Sequence, residues 1–383
     1  MIDSAAFIFA DPKQVWLESP LTQTQEDQFS TPSSRWNGIL NSICLNTVLP
    51  LLRAEYAPQA RVWSMATLPS FWEIVNGTAI DIGITRLVLI PSETIDISEL
   101  RVPQEWVDIP SWAADYYLAV QVNSDEGWVR IWGYTTHQQL KTSGHYDPSD
   151  RTYSLDAEDL ILDLNVLWVA RQLCPQEPTR GVITPLPALP LAQAENLLQR
   201  LGDPALSTPR LEVPFELWGA LLEHGGWRQR LYERRQGLPE QWSILQWLQA
   251  GISNFAQQIG WQQIQFQPNL VGARGVEQPT TVPVLSRQLI IAGQAYQLQV
   301  LPQGNPEEQI WRFQLLSSLG APIPNGFKLR LLTEDLQTFA NNEDTATTAV
   351  DRLYIEVALE PGEGLVWEIE PVPENYNQEI LRF

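Results

Sequence analysis

From about Val276 to the carboxyl terminus, the apolar residues of this 383-residue chain fall at every second position, a period that strands satisfy and helices do not. Short runs at Leu289 to Ile291, Tyr296 to Leu301, Ile310 to Leu316, Phe327 to Leu332, Leu353 to Leu359 and Leu365 to Ile369 carry it. The alternation assigns faces. Trp311, Phe313 and Leu315 are expected to point inward, with Arg312 and Gln314 outward; Phe327, Leu329 and Leu331 likewise oppose Lys328 and Arg330. Glu360-Pro-Gly-Glu-Gly364 turns the last hairpin, its glycines supplying the positive φ of a tight turn. An antiparallel sandwich is the natural closure for such a set.

Upstream the pattern is mixed. Ser33 or Ser34 is expected to cap a helix through Tyr56, kinked or split at Pro50. Ile80 to Ile90 reads as a strand, and Tyr116 to Val122 with Trp128 to Tyr134 as a hairpin turning on Asn123-Ser-Asp-Glu-Gly127. Ser154 is expected to open a helix over Leu155 to Leu173. Five prolines between Pro175 and Pro190 rule out a regular helix there and predict an extended joint. Helical segments follow at Leu191 to Leu201, Pro214 to Glu223, Trp227 to Arg235 and Trp242 to Gly260, the last interrupted at Gly251. The expected class is α+β: a mixed helix and antiparallel-sheet domain over 1–174, a proline-rich linker over 175–190, a helical region over 191–275 and an acidic β-sandwich over 276–383.

Charge narrows the partners. A net charge of −21 disfavours a phosphate-binding surface, so nucleic acid is not the expected partner. Only Lys13, Lys141 and Lys328 are lysines while 21 basic residues are arginines, which form bidentate pairs with carboxylates and are suited to use inside or between domains. Twelve Asp or Glu against two Arg in residues 331–383 give that stretch a net charge of −10. Such a field steers basic partners over about 10 Å at ordinary salt; it also serves simple solvation. Cys44 and Cys174 read as buried free thiols, and His137, His145 and His224 are too isolated to form a structural zinc site. No apolar run approaches the roughly 20 residues of a membrane span, and the amino terminus lacks a basic leader, so a cytoplasmic protein is expected.

Several separated pieces are similar to one family: Ile43-Cys-Leu-Asn46, Phe215-Glu-Leu-Trp218, Trp227-Arg-Gln-Arg-Leu-Tyr232, Ile323-Pro-Asn-Gly-Phe-Lys-Leu-Arg-Leu-Leu-Thr-Glu-Asp335, Asn342-Glu-Asp344 and Glu363-Gly-Leu-Val-Trp-Glu368. Together they resemble the cyanobacterial domain-of-unknown-function family 1822 over most of the chain. The resemblance implies a soluble cyanobacterial protein with no catalytic residues to carry over, and a loose association with signalling and caspase-like peptidase loci.

The residues themselves offer candidate surfaces. Arg228, Arg230, Arg234 and Arg235, interleaved with Trp227 and Tyr232, form a basic aromatic helix that suits intramolecular pairing with the acidic domain, a protein partner, or an anion. Glu356, Glu363, Glu368, Glu370 and Glu374 make the candidate acidic surface. Trp63, Phe71 and Trp72 lie on an unpatterned segment and fit either a recognition surface or a plug between domains. Asn341-Asn-Glu-Asp344 with Glu334 and Asp335 offers oxygen ligands without EF-hand spacing, and a structural loop is the simpler reading. His145 with Asp147, and Glu368 with Glu370, are the nearest approaches to acid–base pairs; no nucleophile elbow, phosphate loop or paired-histidine helix accompanies them. The expected role is therefore a non-catalytic interaction or adaptor protein without metal or cofactor, with a small-ligand or carbohydrate-binding sandwich and a carboxylate-dependent hydrolase as the alternatives.

Overall fold

The computed structural model describes residues 14–19, 28–238, 242–266, 282–303 and 309–383. The architecture is α+β, divided into one unit of Met1–Leu189, Ala194–His224 and Arg234–Gln236 and a second of Pro190–Gln193, Gly225–Glu233 and Gly237–Phe383.

The first unit runs β1 (Val15–Glu18), α1 (Pro32–Leu51), β2 (Arg61–Val62), α2 (Leu68–Trp72), β3 (Thr78–Ile82), β4 (Thr85–Ser92), β5 (Glu99–Pro103), α3 (Gln104–Asp108), β6 (Tyr116–Asn123), β7 (Trp128–Thr136), α4 (His137–Ser143), β8 (His145–Asp147), β9 (Thr152–Asp156) and α5 (Leu164–Leu173). A six-stranded sheet has the order β1-β7-β6-β4-β3-β2, and a three-stranded sheet the order β5-β9-β8. Only the β4–β6 pair of the larger sheet is parallel, which places the carboxyl ends of two strands side by side. Buried apolar residues of β4 and β6, among them Leu87, Leu89, Leu118 and Val120, fill the core, and α1 packs against both strands.

Local chemistry explains where the elements begin. Thr31, not Ser33 or Ser34, caps α1; its hydroxyl accepts from the Ser34 N–H while the Ser34 hydroxyl accepts from the Thr31 N–H. Pro50 lies in the last turn, and the chain continues through a π turn over Leu52–Tyr56 instead of splitting. The expected strand over 80–90 is two strands, because Gly83 at φ +64° turns the chain between them. The expected helix from Leu155 is corrected to begin at Leu164 with Asp163 as its cap, since 152–156 pairs as β9 with β5 and β8. Residues 177–190 run without regular structure, followed by α6 (Leu191–Leu201) and α7 (Phe215–Glu223).

In the second unit, α8 (Gly225–Arg235, its last two residues counted with the first unit), α9 (Ile244–Ala250) and α10 (Asn254–Gln258) precede β10 (Trp261–Phe266), β11 (Val282–Ile291), β12 (Gln294–Gln303), β13 (Ile310–Ser317), β14 (Lys328–Thr333), β15 (Glu343–Thr345), β16 (Arg352–Ala358), β17 (Gly364–Glu370) and β18 (Ile380–Arg382). The sheets are ordered β10-β11-β12-β13-β16 and β15-β14-β17-β18. Trp311, Phe313 and Leu315 from one sheet and Phe327, Leu329 and Leu331 from the other enter one core. Trp242, Trp247 and Trp261 enter the same core, so part of the 191–275 stretch, read from sequence as a separate helical region, belongs with the strands. Val276 lies outside the described residues. Gln314, expected to face solvent, is instead buried and donates to Gln299 Oε1 at 2.7 Å.

Candidate functional site

The Arg/aromatic helix is mostly interior. Trp227, Arg228, Arg230, Tyr232 and Arg235 are buried, while Arg234 keeps an exposed side chain 3.9 Å from Glu195. In the second unit Arg230 Nη1 donates to Glu334 Oε1 at 2.7 Å, Arg382 Nη2 donates to the same oxygen at 2.8 Å, and Trp227 Nε1 approaches it at 3.3 Å. In the first unit Arg235 Nε donates to Glu73 Oε1 at 2.8 Å, and its terminal nitrogens reach the carbonyls of Leu201, Asp203 and Leu206. Glu73 also accepts the Ser30 N–H at 3.0 Å and the Ser30 hydroxyl.

The same construction recurs elsewhere. Glu105 accepts from Arg210 Nε at 2.9 Å, Arg210 Nη2 at 2.6 Å and Trp218 Nε1 at 2.8 Å. Glu379 accepts from Trp261 Nε1 at 3.0 Å and Trp367 Nε1 at 2.8 Å, and lies 2.5 Å from Arg287 Nη1. The Arg287 guanidinium also stands 5.1 Å from the centre of the Trp367 ring. These carboxylates are desolvated, and guanidinium and indole donors satisfy them. The chemistry they support is structural, since each carboxylate is engaged by an arginine.

The aromatic segment is likewise packed. Phe71 and Trp72 are buried and Trp63 is half-buried; Trp63 and Phe71 meet Trp106 and Trp112 with ring centres 4.7–6.2 Å apart, and Arg86 caps Trp63 at 4.1 Å. They form a core cluster and not a free recognition face.

The acidic surface is a set of cross-strand pairs and turn ligands. Glu356 pairs with Arg312 at 2.6 Å, Glu368 with Arg330 at 3.6 Å, and Glu370 with Arg330 at 3.6 Å and Lys328 at 3.8 Å. Glu363 accepts the Glu360 N–H at 2.9 Å, and Glu374 the Gly293 N–H at 3.1 Å. In the 341–344 loop Asn341 is left-handed at φ 57°, and Asn342 is buried and donates to the Leu331 carbonyl at 2.7 Å. Glu334, offered from sequence as an oxygen ligand beside that loop, binds Arg230 and Arg382 instead. Among the described residues no group of three or more His, Cys, Asp or Glu is arranged to hold a metal ion. His145 is exposed on β8. Cys44 is buried, but Cys174 is exposed, since α5 ends just before it and the proline-rich segment begins.

An open groove of ≈ 450 Å³ lies in the first unit and was not legible in the sequence. Tyr116 and Tyr134, edge to face at 6.1 Å, line it together with Ile161, Val166 and Ala170. Glu177, Pro178 and Thr179 contribute from the proline-rich strap. Beside the groove, α5 exposes Val166, Val169 and Leu173, which are 47%, 51% and 75% accessible and spaced along one side of the helix. The opposite side, Leu164, Leu167 and Trp168, is buried. A second cleft of ≈ 390 Å³ lies at the carboxyl ends of β4 and β6, where Ser92, Thr94, Asp96, Gln121 and Trp132 meet.

This arrangement defines a two-unit α+β protein in which buried carboxylates are held by arginine and, at most sites, by tryptophan. The chain belongs to the family described as protein of unknown function DUF1822, whose profile it matches over residues 19–382. No curated protein and no solved structure matches it. No helix among the described residues is long and apolar enough to cross a membrane.

Proposed function

We propose that this chain is a non-catalytic protein-interaction protein of adaptor type that takes an extended, apolar segment of a partner protein along α5 and the tyrosine groove. The observation that carries this reading is the exposed stripe Val166, Val169 and Leu173 bordering the groove, because adjoining exposed apolar residues mark interaction surfaces. The two tyrosines supply rigid contact area with polar tips, and Gln138, Gln139 and Thr142 supply hydrogen-bonding groups along the rim. With a net charge of −21, basic residues flanking the partner's apolar segment would speed encounter. The setting in this reading is the cytoplasm. A photo-crosslinking amino acid at position 169 tests it, with position 356 on the second unit as the control. The reading expects one dominant adduct from position 169 and none from 356; no adduct from 169, or the same adduct from both, refutes it.

The cleft at the carboxyl ends of β4 and β6 favours a second reading, a small polar ligand held by hydroxyl and amide groups against Trp132. Thermal shifts with sugar and nucleotide panels, repeated with Gln121→Ala, test that reading; a shift that survives the substitution unchanged refutes it.

A further inference from the structure

The proline-rich strap is fastened to the body of the first unit at defined points. The Gln138 N–H donates to the Thr179 carbonyl at 2.9 Å, and the Thr179 hydroxyl donates to Asp115 Oδ1 at 2.7 Å. Arg180 grips Asp115 with Nε at 3.0 Å and Nη2 at 2.9 Å. The Gly181 N–H meets Nδ1 of the fully buried His137 at 3.0 Å.

The tautomer of His137 follows from its neighbours. Its Nε2 lies 2.9 Å from the Val107 carbonyl, which can only accept, so Nε2 carries the hydrogen. Nδ1 is then the acceptor for Gly181, and the ring is neutral. A proton added to Nδ1 sets two donors against each other and removes the acceptor that the strap uses.

We propose that His137 is a pH-operated latch: its protonation releases Gly181 and loosens the strap wall of the tyrosine groove. The groups around the ring are Lys141 and Arg180, which oppose a second positive charge, and Asp108, which favours it. Asp108 is already engaged, accepting from Lys141 Nζ at 2.7 Å and from the Tyr153 hydroxyl at 2.9 Å. The Tyr117 ring stands 6.3 Å away, its hydroxyl committed to the Trp106 carbonyl. Burial, the largest influence, holds the imidazole below its usual range, so the latch opens only on acidification below neutral. Glu177, Pro178 and Thr179 line the groove just before Gly181, so once Gly181 is freed the groove wall is held at this end by Thr179 and Arg180 alone. The latch stands independently of what the groove binds.

Histidine-labelled NMR and amide exchange on the full-length protein test the proposal between pH 7.5 and 4.5. The spectrum at pH 7.5 is expected to show the Nε2–H tautomer for His137, with a protonation midpoint below the ordinary imidazole value. Exchange of the strap amides around Gly181, corrected for the intrinsic pH effect, should rise about fivefold or more over the same range as the His137 titration. In His137→Asn that rise should vanish while strap protection at pH 7.5 remains. An Nδ1–H tautomer, an imidazole still neutral at pH 4.5, or strap protection that stays constant while His137 titrates would each overturn the proposal. These readouts need only the unsubstituted protein, so they hold even if the variant fails to fold.

Discussion

Arg287 Nη1 stands 2.5 Å from Glu379 Oε2 with both side chains essentially removed from solvent, and two indole N–H groups donate to the other carboxylate oxygen, Oε1. A pair so placed is weak evidence of net stability, yet removing one partner strands the other's charge. Glu379→Ala is therefore expected to destabilise the second unit by about 3–5 kcal/mol, while Arg287→Met combined with Glu379→Leu costs less than the single change. Urea denaturation followed by tryptophan fluorescence measures both; a double variant as damaged as the single would show that the charge is not the issue.

Exposed pairs on the same unit should behave differently. Arg312 and Glu356 are joined at 2.6 Å, but Glu356 keeps 43% of its side chain accessible. Solvent screening limits such a pair to about 0–1 kcal/mol, so a double-mutant cycle with alanine at both positions should return a coupling in that range.

Acid should weaken the first unit through Asp115. Burial acts to raise its pKa, but the Arg180 side chain, the Arg86 N–H and the Thr179 hydroxyl outweigh burial and hold the carboxyl below its ordinary value of 3.8. The folded state thus prefers the charged form. The resulting stability is fully present above the ordinary value and is lost as pH falls through the folded one. Asp115→Asn should lower stability at pH 7 and lose this part of the acid dependence; chemical denaturation between pH 2.5 and 7 separates the two curves.

Gly77 has φ +124°, and a Cβ there would lie 2.5 Å from Trp106 Nε1, an atom that donates to the Asn76 carbonyl at 2.8 Å. Gly77→Ala combines backbone strain with overpacking and is expected to cost about 1–3 kcal/mol in thermal or urea unfolding. Gly83, also left-handed but with open space around it, should show the strain component alone when changed to alanine.

The thiols offer a chemical check of the core. Burial pushes the Cys44 thiol well above its usual range, whereas Cys174 is exposed. A thiol reagent at pH 8 should modify Cys174 in the native protein and Cys44 only after denaturation. Rapid modification of both would place Cys44 outside the core of α1.

Period-two alternation located the longer strands because each residue there meets either core or solvent, and Trp311, Phe313 and Leu315 show the rule at work. Strands of three residues, β15 and β18, are too short to display a period. Gln314 departs from the expectation because the outer face of β13 is covered at that one position, where Gln299, a non-local partner, accepts from its amide. The abundance of arginine pointed toward internal pairing, but the acceptors Glu73, Glu105 and Glu379 lie 105–162 positions from an arginine or tryptophan partner, and no local pattern marks such distances. A single carboxylate abutting an apolar pair, as in Glu379-Ile380-Leu381, is the faint signal present. The groove was hidden for the same reason: Tyr116, Ile161 and Pro178 come from separate elements and share no motif.

In the proposed adaptor role, recognition uses the exposed side of α5 and not the Arg/aromatic helix, whose side chains are largely interior. The most direct measurement is capture from native cells at low and moderate salt with the wild type, with Val169→Glu/Leu173→Glu, and with Glu368→Gln/Glu370→Gln, all at solvent-accessible positions. Circular dichroism should confirm that each variant keeps the native fold. A stoichiometric partner is expected with the wild type and the glutamine variant and is expected to be absent with the α5 variant. The same partner recovered in equal amount with Val169→Glu/Leu173→Glu, or a wild type recovered alone at low salt, would contradict it.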